Sequence, residues 1–130
     1  MSKQRILVVD DEPRVSDIVR LFLERTKRYE VRVENRSVNA LAAAQEFRPH
    51  MVLLDVDMPD KDGGAVASEM RGQPLTRDLP ILFLTSLVSR AEAGERETIR
   101  GGLRFLAKPL DPKVLVDVVD RLLAPRPVAA

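Results

Sequence analysis

The chain has 130 residues and a mass of 14.6 kDa, the size of one ordinary domain that can bury its own core. Hydrophobic residues make up 45% and charged residues 32%, a globular balance, and the longest unbroken apolar run is the five residues Ala40 to Ala44, too short to span a bilayer. With no cysteine and a single histidine, His50, the chain excludes disulfides, thiol nucleophiles, cysteine zinc sites and multi-histidine metal sites, and a net charge of +1 argues against a dedicated nucleic-acid or polybasic membrane binder.

The start, Met1 to Arg5 followed by Ile6-Leu7-Val8-Val9-Asp10, lacks the apolar stretch and small-residue cleavage site of a secretory signal, so a cytoplasmic location is expected. Ile6 to Val9 is the first of five short apolar runs that read as buried strands. The next segment, opened by Pro13, places Val15, Ile18, Val19, Phe22 and Leu23 on one face of an amphipathic helix. A second strand over Val31 to Val33 is followed by a helix from Ser37 through the alanine-rich stretch to Phe47, and a third strand over Met51 to Leu54 by a helix from about Ala65 to Arg71. A fourth strand spans Ile81 to Leu84. The helix expected after it, near Ala91 to Arg100, has a Ser89-Arg90-Ala91-Glu92 capping pattern but carries Gly94 and only Ala91, Ala93 and Ile99 as apolar material. A fifth strand, Leu103 to Ala107, leads to a last helix capped by Asp111, opened by Pro112 and lined by Val114, Leu115, Val118, Val119 and Leu122. Residues 1–123 are expected to form a single domain and residues 124–130 a tail or linker stub.

Five strands alternating with five helices imply right-handed crossovers and a parallel sheet covered on both faces, with ligands bound at the carboxyl ends of the strands. The charges are distributed accordingly. Residues 10–12 and 55–62 carry seven acids and one base, Lys61, a net −6 that leaves +7 for the rest. Strand ends bring together Asp10 and Asp11, Asp55, the hydroxyls of Thr85 and Ser86, and Lys108. Crowded carboxylates repel unless a cation sits among them, and magnesium, which prefers oxygen ligands, suits such a set. An aspartate beside Mg²⁺, with a lysine and a hydroxyl to hold incoming oxygens, is a nucleophile for phosphoryl transfer. Each residue also has a plainer reading: Asp10 and Asp11 as caps of the helix at Pro13, Thr85 as an ordinary strand end, Lys108 as a surface charge, Phe105 as core, His50 as a loop residue. Asp55 is harder to explain so, because a carboxylate closing a buried apolar strand is costly unless paired. Lys108 is one of only five lysines against 16 arginines, which suits a need for a compact point charge.

The stretches Ile6-Leu-Val-Val-Asp-Asp-Glu-Pro13, Val52-Leu-Leu-Asp-Val-Asp-Met-Pro59 with Asp62-Gly63, Ile81-Leu-Phe-Leu-Thr-Ser86 and Gly101-Gly-Leu-Arg-Phe-Leu-Ala-Lys-Pro109 resemble the receiver domain of bacterial two-component response regulators, over about Gln4 to Leu123. The resemblance implies a flavodoxin-like five-stranded parallel sheet of order 2-1-3-4-5 with five helices on its two faces. It implies that Asp55 accepts a phosphoryl group from the phosphohistidine of a sensor histidine kinase or phosphotransfer protein. Asp11, Asp55 and the backbone carbonyl of Asp57 would bind Mg²⁺ directly, and Asp10 through a coordinated water. Lys108 would pair with the phosphoryl oxygens, Thr85 would be drawn inward to bond one of them, and Phe105 would turn inward in response. Pro109 matches a family proline that often follows a cis peptide.

Added charge at Asp55 can spread only through an element with two nearly equal packings, and the thinly apolar fourth helix is the expected one. The output would be a downstream effector protein or an output domain beyond this chain, with no direct nucleic-acid or membrane contact by this domain; a phosphorylation-dependent dimer is compatible with the resemblance. Asp57 adds a carboxylate where many relatives carry a neutral or long polar residue, and Leu87 is apolar where relatives vary widely; both positions flank the path of the hydrolytic water. Two rivals remain: an aspartate-nucleophile phosphatase of haloacid-dehalogenase type, which the pair Asp55-Val56-Asp57 resembles with Asp57 as acid/base, and a receiver-like binding module that is never phosphorylated.

Overall fold

A computed structural model describes residues 3–86, 98–100 and 102–124. Its elements are β1 (Gln4–Val9), α1 (Pro13–Arg25), β2 (Tyr29–Glu34), a 3-10 turn (Ser37–Asn39), α2 (Ala40–Phe47), β3 (Met51–Asp55), α3 (Gly63–Arg71), β4 (Ile81–Thr85), β5 (Thr98–Arg100), β6 (Leu103–Ala107) and α4 (Pro112–Leu123). They form one sheet of order β2-β1-β3-β4-β6-β5. The five strands β2, β1, β3, β4 and β6 are parallel, and with β6 counted as the fifth their order is the expected 2-1-3-4-5.

The strands read as unbroken apolar runs because both faces are covered. Ile6, Val8, Leu53, Leu82 and Leu84 point to the side where Val19 and Leu23 of α1 and Leu115, Val118 and Val119 of α4 pack. Leu7, Val9, Val52, Leu54, Ile81 and Phe83 point to the other, against Ala40, Ala43 and Ala44 of α2 and Val66 and Met70 of α3. Small alanines on α2 bring that helix close to the sheet. Side-chain caps start two helices where the sequence puts an aspartate: Asp111 accepts from the amides of Lys113 and Val114 at 2.9 and 3.3 Å, and Asp62 from that of Ala65 at 2.8 Å. The Asp62 cap moves the start of α3 two residues ahead of the expected Ala65.

The expectation of five helices is corrected. Among the described residues there are four α-helices; of the expected helix near Ala91 to Arg100, residues 91–97 lie outside the described residues, and Thr98–Arg100 is a strand, antiparallel to β6. β-Branched Thr98 and Ile99 favour a strand, and the turn from Arg100 to Leu103 passes through Gly102 at φ 80°, a backbone conformation that glycine adopts without strain. A stretch with so little apolar surface has little to bury as a helix. The proposed two-state role of that helix, and Leu87, also fall outside the described residues. Among the described residues no helix is long and apolar enough to cross a membrane.

Candidate functional site

The parallel register brings the carboxyl ends of β1, β3, β4 and β6 side by side. Val9 pairs with Leu54, Asp55 with Leu84, and Thr85 with Ala107, so Asp10 follows β1, Asp55 closes β3, Thr85 closes β4 and Lys108 follows β6 along one edge. One carboxylate oxygen from each of Asp10, Asp11 and Asp55 lies within 4.8 Å of the other two. Asp10 and Asp55 are buried, 0% and 3% exposed, and Asp11 is half-buried. Among the described residues one amine bonds two of these three acids: Lys108 Nζ donates to Asp10 Oδ2 at 3.0 Å and to Asp55 Oδ1 at 3.1 Å.

The electrostatics follow from that imbalance. Burial, then the charge of Asp10, pushes the Asp55 carboxyl up to about 6, although Lys108 pulls the other way. Burial disfavours the Lys108 ammonium, but Asp10 and Asp55 outweigh it and hold its pKa above the usual lysine value. The edge is thus short of positive charge, and its ligand set is all oxygen. Such a cluster could coordinate a divalent metal ion, and three carboxylates converging on one point suit a hard cation.

Gly63 is what lets α3 start against this edge. Its N–H donates to the carbonyl of Val56 at 2.9 Å, and a Cβ there would collide with the carbonyl oxygen of Asp55. Thr85 is buried, and its carbonyl accepts from the Lys108 amide at 2.8 Å. The peptide between Lys108 and Pro109 is cis. Phe105 is half-buried and stacks on Phe83, directly opposite it in register, with centroids 5.3 Å apart and planes 25° from parallel. The Asp57 side chain is exposed and outside the carboxylate cluster, which tells against the phosphatase reading, where that carboxyl would do the acid/base work.

Neither Asp10 nor Asp11 caps α1. Its N-cap is Glu12, without a side-chain cap bond, and Asp10 Oδ1 instead accepts from the Glu12 amide at 2.9 Å. His50 sits at the opposite edge of the sheet, where its Nδ1 accepts from the Arg5 amide at 2.9 Å and its own amide donates to the Arg5 carbonyl at 2.7 Å. Sequence reasoning missed Asn35 and Ser16. Asn35 Nδ2 donates to the Asp10 carbonyl at 2.8 Å and to Ser16 Oγ at 2.9 Å. The one available signal was a serine on the buried face of an apolar helix.

Comparison with known proteins agrees with this geometry. The profile of the response regulator receiver domain matches residues 6–120. Response regulator Rre1 of Synechocystis is 35% identical over 121 residues, covering 92% of this chain and 51% of its own length. PleD, a response regulator of Caulobacter vibrioides, is 36% identical over 113 residues, covering 85% of this chain and 24% of its own. The chain spans about half the length of the first curated relatives it matches. Among solved structures, the chemotaxis protein CheY4 of Vibrio cholerae superposes with a TM-score of 0.79 at 30% identity, covering 94% of this chain and all of that one. A putative response regulator from Chloroflexus aurantiacus also gives 0.79, at 32% identity, over 95% of this chain and all of its own. With the receiver profile spanning nearly the whole sheet and the acids gathered at its carboxyl edge, the chain belongs to the receiver domains of bacterial two-component response regulators, which are phosphoacceptor signalling domains.

Proposed function

We propose that Asp55 is the phosphoacceptor, taking a phosphoryl group from the phosphohistidine of a sensor kinase or phosphotransfer protein. The observation that carries this reading is the shared amine: Lys108 lies 3.1 Å from Asp55 and 3.0 Å from Asp10 in a site holding three carboxylates. An oxygen of Asp55 attacks phosphorus, the phosphorus–nitrogen bond of the donor breaks, and the imidazole keeps the electron pair. Lys108 then meets the phosphoryl oxygens as a point charge, and the hydroxyl of Thr85, which closes β4, donates to one of them. Asp11, Asp55 and the Asp57 carbonyl would hold Mg²⁺, with Asp10 acting through a water, and the bound cation would neutralise the crowded acids and the incoming phosphoryl charge. Phosphorylation replaces the single negative charge of the Asp55 carboxylate by about −2 on a phosphoryl group that reaches further out, drawing Thr85 and Lys108 inward, and Phe105 follows.

Residues 1–123 act as the receiver unit, with 124–130 as a tail, in a cytoplasmic setting, and the signal passes to an effector protein or an attached output domain. The test is labelling with a small phosphodonor such as acetyl phosphate, followed by intact mass. Wild type with Mg²⁺ gains one phosphoryl group, whereas wild type with chelator and Asp55→Asn gain none. Equal labelling of Asp55→Asn would remove Asp55 from the role, and absence of labelling in wild type would favour the binding-module reading.

A further inference from the structure

Asn35 stands just past the carboxyl end of β2, one strand away from the nearest acid, and its side chain is committed to the loop that carries two of the three clustered carboxylates. Its amide nitrogen has two hydrogens about 120° apart, and both are used: one on the Asp10 carbonyl at 2.8 Å, the other on Ser16 Oγ at 2.9 Å. Ser16 is fully buried on α1, and its hydroxyl is placed to donate onward to the Pro13 carbonyl at 3.2 Å. The Asp10 amide donates to the Glu34 carbonyl at 3.2 Å, so the last residue of β2 and the residue after it hold Asp10 at its N–H and its C=O. Because the peptide unit is planar, fixing the direction of the Asp10 carbonyl also fixes the Asp11 amide and the position of the Asp11 Cα, from which its side chain departs. Asp10 then spends Oδ1 on the Glu12 amide, which leaves Oδ2 for the site.

From this network we infer that Asn35 is a positioning residue for the cation site: by bridging the Asp10 carbonyl and Ser16, it holds the Asp10–Glu12 loop so that Asp10 and Asp11 face Asp55. The inference rests on reading the acid cluster as a cation site. Three carboxylates that repel one another would relax apart if their loop were free, and Lys108 offsets only part of that repulsion. A brace behind the first ligands is how proteins commonly keep such a set convergent. Asparagine suits the position because serine or threonine has one donor and aspartate has none.

The experiment compares wild type with Asn35→Ala, Asn35→Leu and Ser16→Ala in two measurements. Mg²⁺ is titrated calorimetrically well below the melting temperature of each variant, and amide hydrogen exchange at Asp11 and Glu12 is followed without metal. Both Asn35 variants are expected to lose about tenfold in Mg²⁺ affinity and to exchange faster in the loop, with Ser16→Ala showing a smaller change of the same sign. A purely structural asparagine would lower the melting temperature and leave both readouts unmoved, which overturns the inference. If wild type itself does not bind Mg²⁺, the cation reading fails; faster loop exchange in the Asn35 variants then upholds the brace, and unchanged exchange removes it as well.

Discussion

The two edges of the sheet handle their polar groups in opposite ways. At the amino edge donors and acceptors are matched. Arg5 and His50 exchange backbone and ring bonds between β1 and β3, the Arg5 guanidinium is held by the carbonyls of Phe47 and Arg48, and Asp120 of α4 takes both Arg28 and the Tyr29 hydroxyl. At the carboxyl edge three carboxylates meet beside one lysine that bonds two of them, and Asp55 is left with a pKa raised to about 6. The first arrangement ties strands together. The second stores a charge imbalance that a cation or an incoming phosphoryl group can alter, and this is why function belongs to that edge.

The largest effect expected from breaking this contrast is removal of the shared amine. Lys108→Ala leaves Asp10 and Asp55 buried without a cation, and urea unfolding at pH 8 without metal should show a loss of about 3 kcal/mol. Added Mg²⁺ should restore much of it; an unchanged midpoint would mean that the lysine balances nothing.

Next comes the opposite change. The folded-state pKa of Asp55 lies at about 6, above the value near 4 expected for an unfolded aspartate, so folding favours its protonated form. That contribution is complete below about pH 4 and is lost as pH rises through 6. Asp55→Asn should therefore be more stable than wild type at pH 8 by on the order of 2 kcal/mol without metal, with the gap closing below about pH 4. Thermal unfolding across this range checks the sign: a gap that widened on acidification would contradict it.

The amino edge should respond more mildly and without reference to metal. Tyr29→Phe removes the hydroxyl that donates to Asp120 but keeps the buried ring, and a loss of about 1 kcal/mol is expected, the same with and without Mg²⁺. The smallest change should come from Asp57→Asn. An exposed carboxylate outside the cluster acts only through screened charge, so calorimetry should show Mg²⁺ affinity falling by about twofold to threefold. A tenfold fall would place that side chain among the ligands.

The candidate site residues were legible in the sequence one by one, because each acid, Thr85 and Lys108 ends or follows a short apolar run that reads as a buried strand. The caps at Asp111 and Pro112 were legible for a similarly local reason. Three features were not. The 3-10 turn at Ser37–Asn39 divides what the pattern reads as one helix from Ser37 to Phe47, and the difference lies in hydrogen bonds one residue apart. Thr98–Arg100 carried a capping pattern upstream, yet pairing with Leu103–Phe105 across a glycine turn outweighed it. Asn35 had no pattern at all, since its partners lie 25 and 19 residues away in the chain.

The sequence by itself therefore determined what recurs within a few residues: strand and helix periods, the start of the first and last helices, and which residue types stand at each strand end. Only tertiary structure decided that three carboxylates meet within 4.8 Å, that one lysine serves two of them, that Gly63 must lack a side chain, and that Asn35 braces the loop behind Asp10. The physical reason is range. Periodicity and capping act over one or two turns, whereas the charge balance of the site depends on which strand ends the parallel register sets side by side.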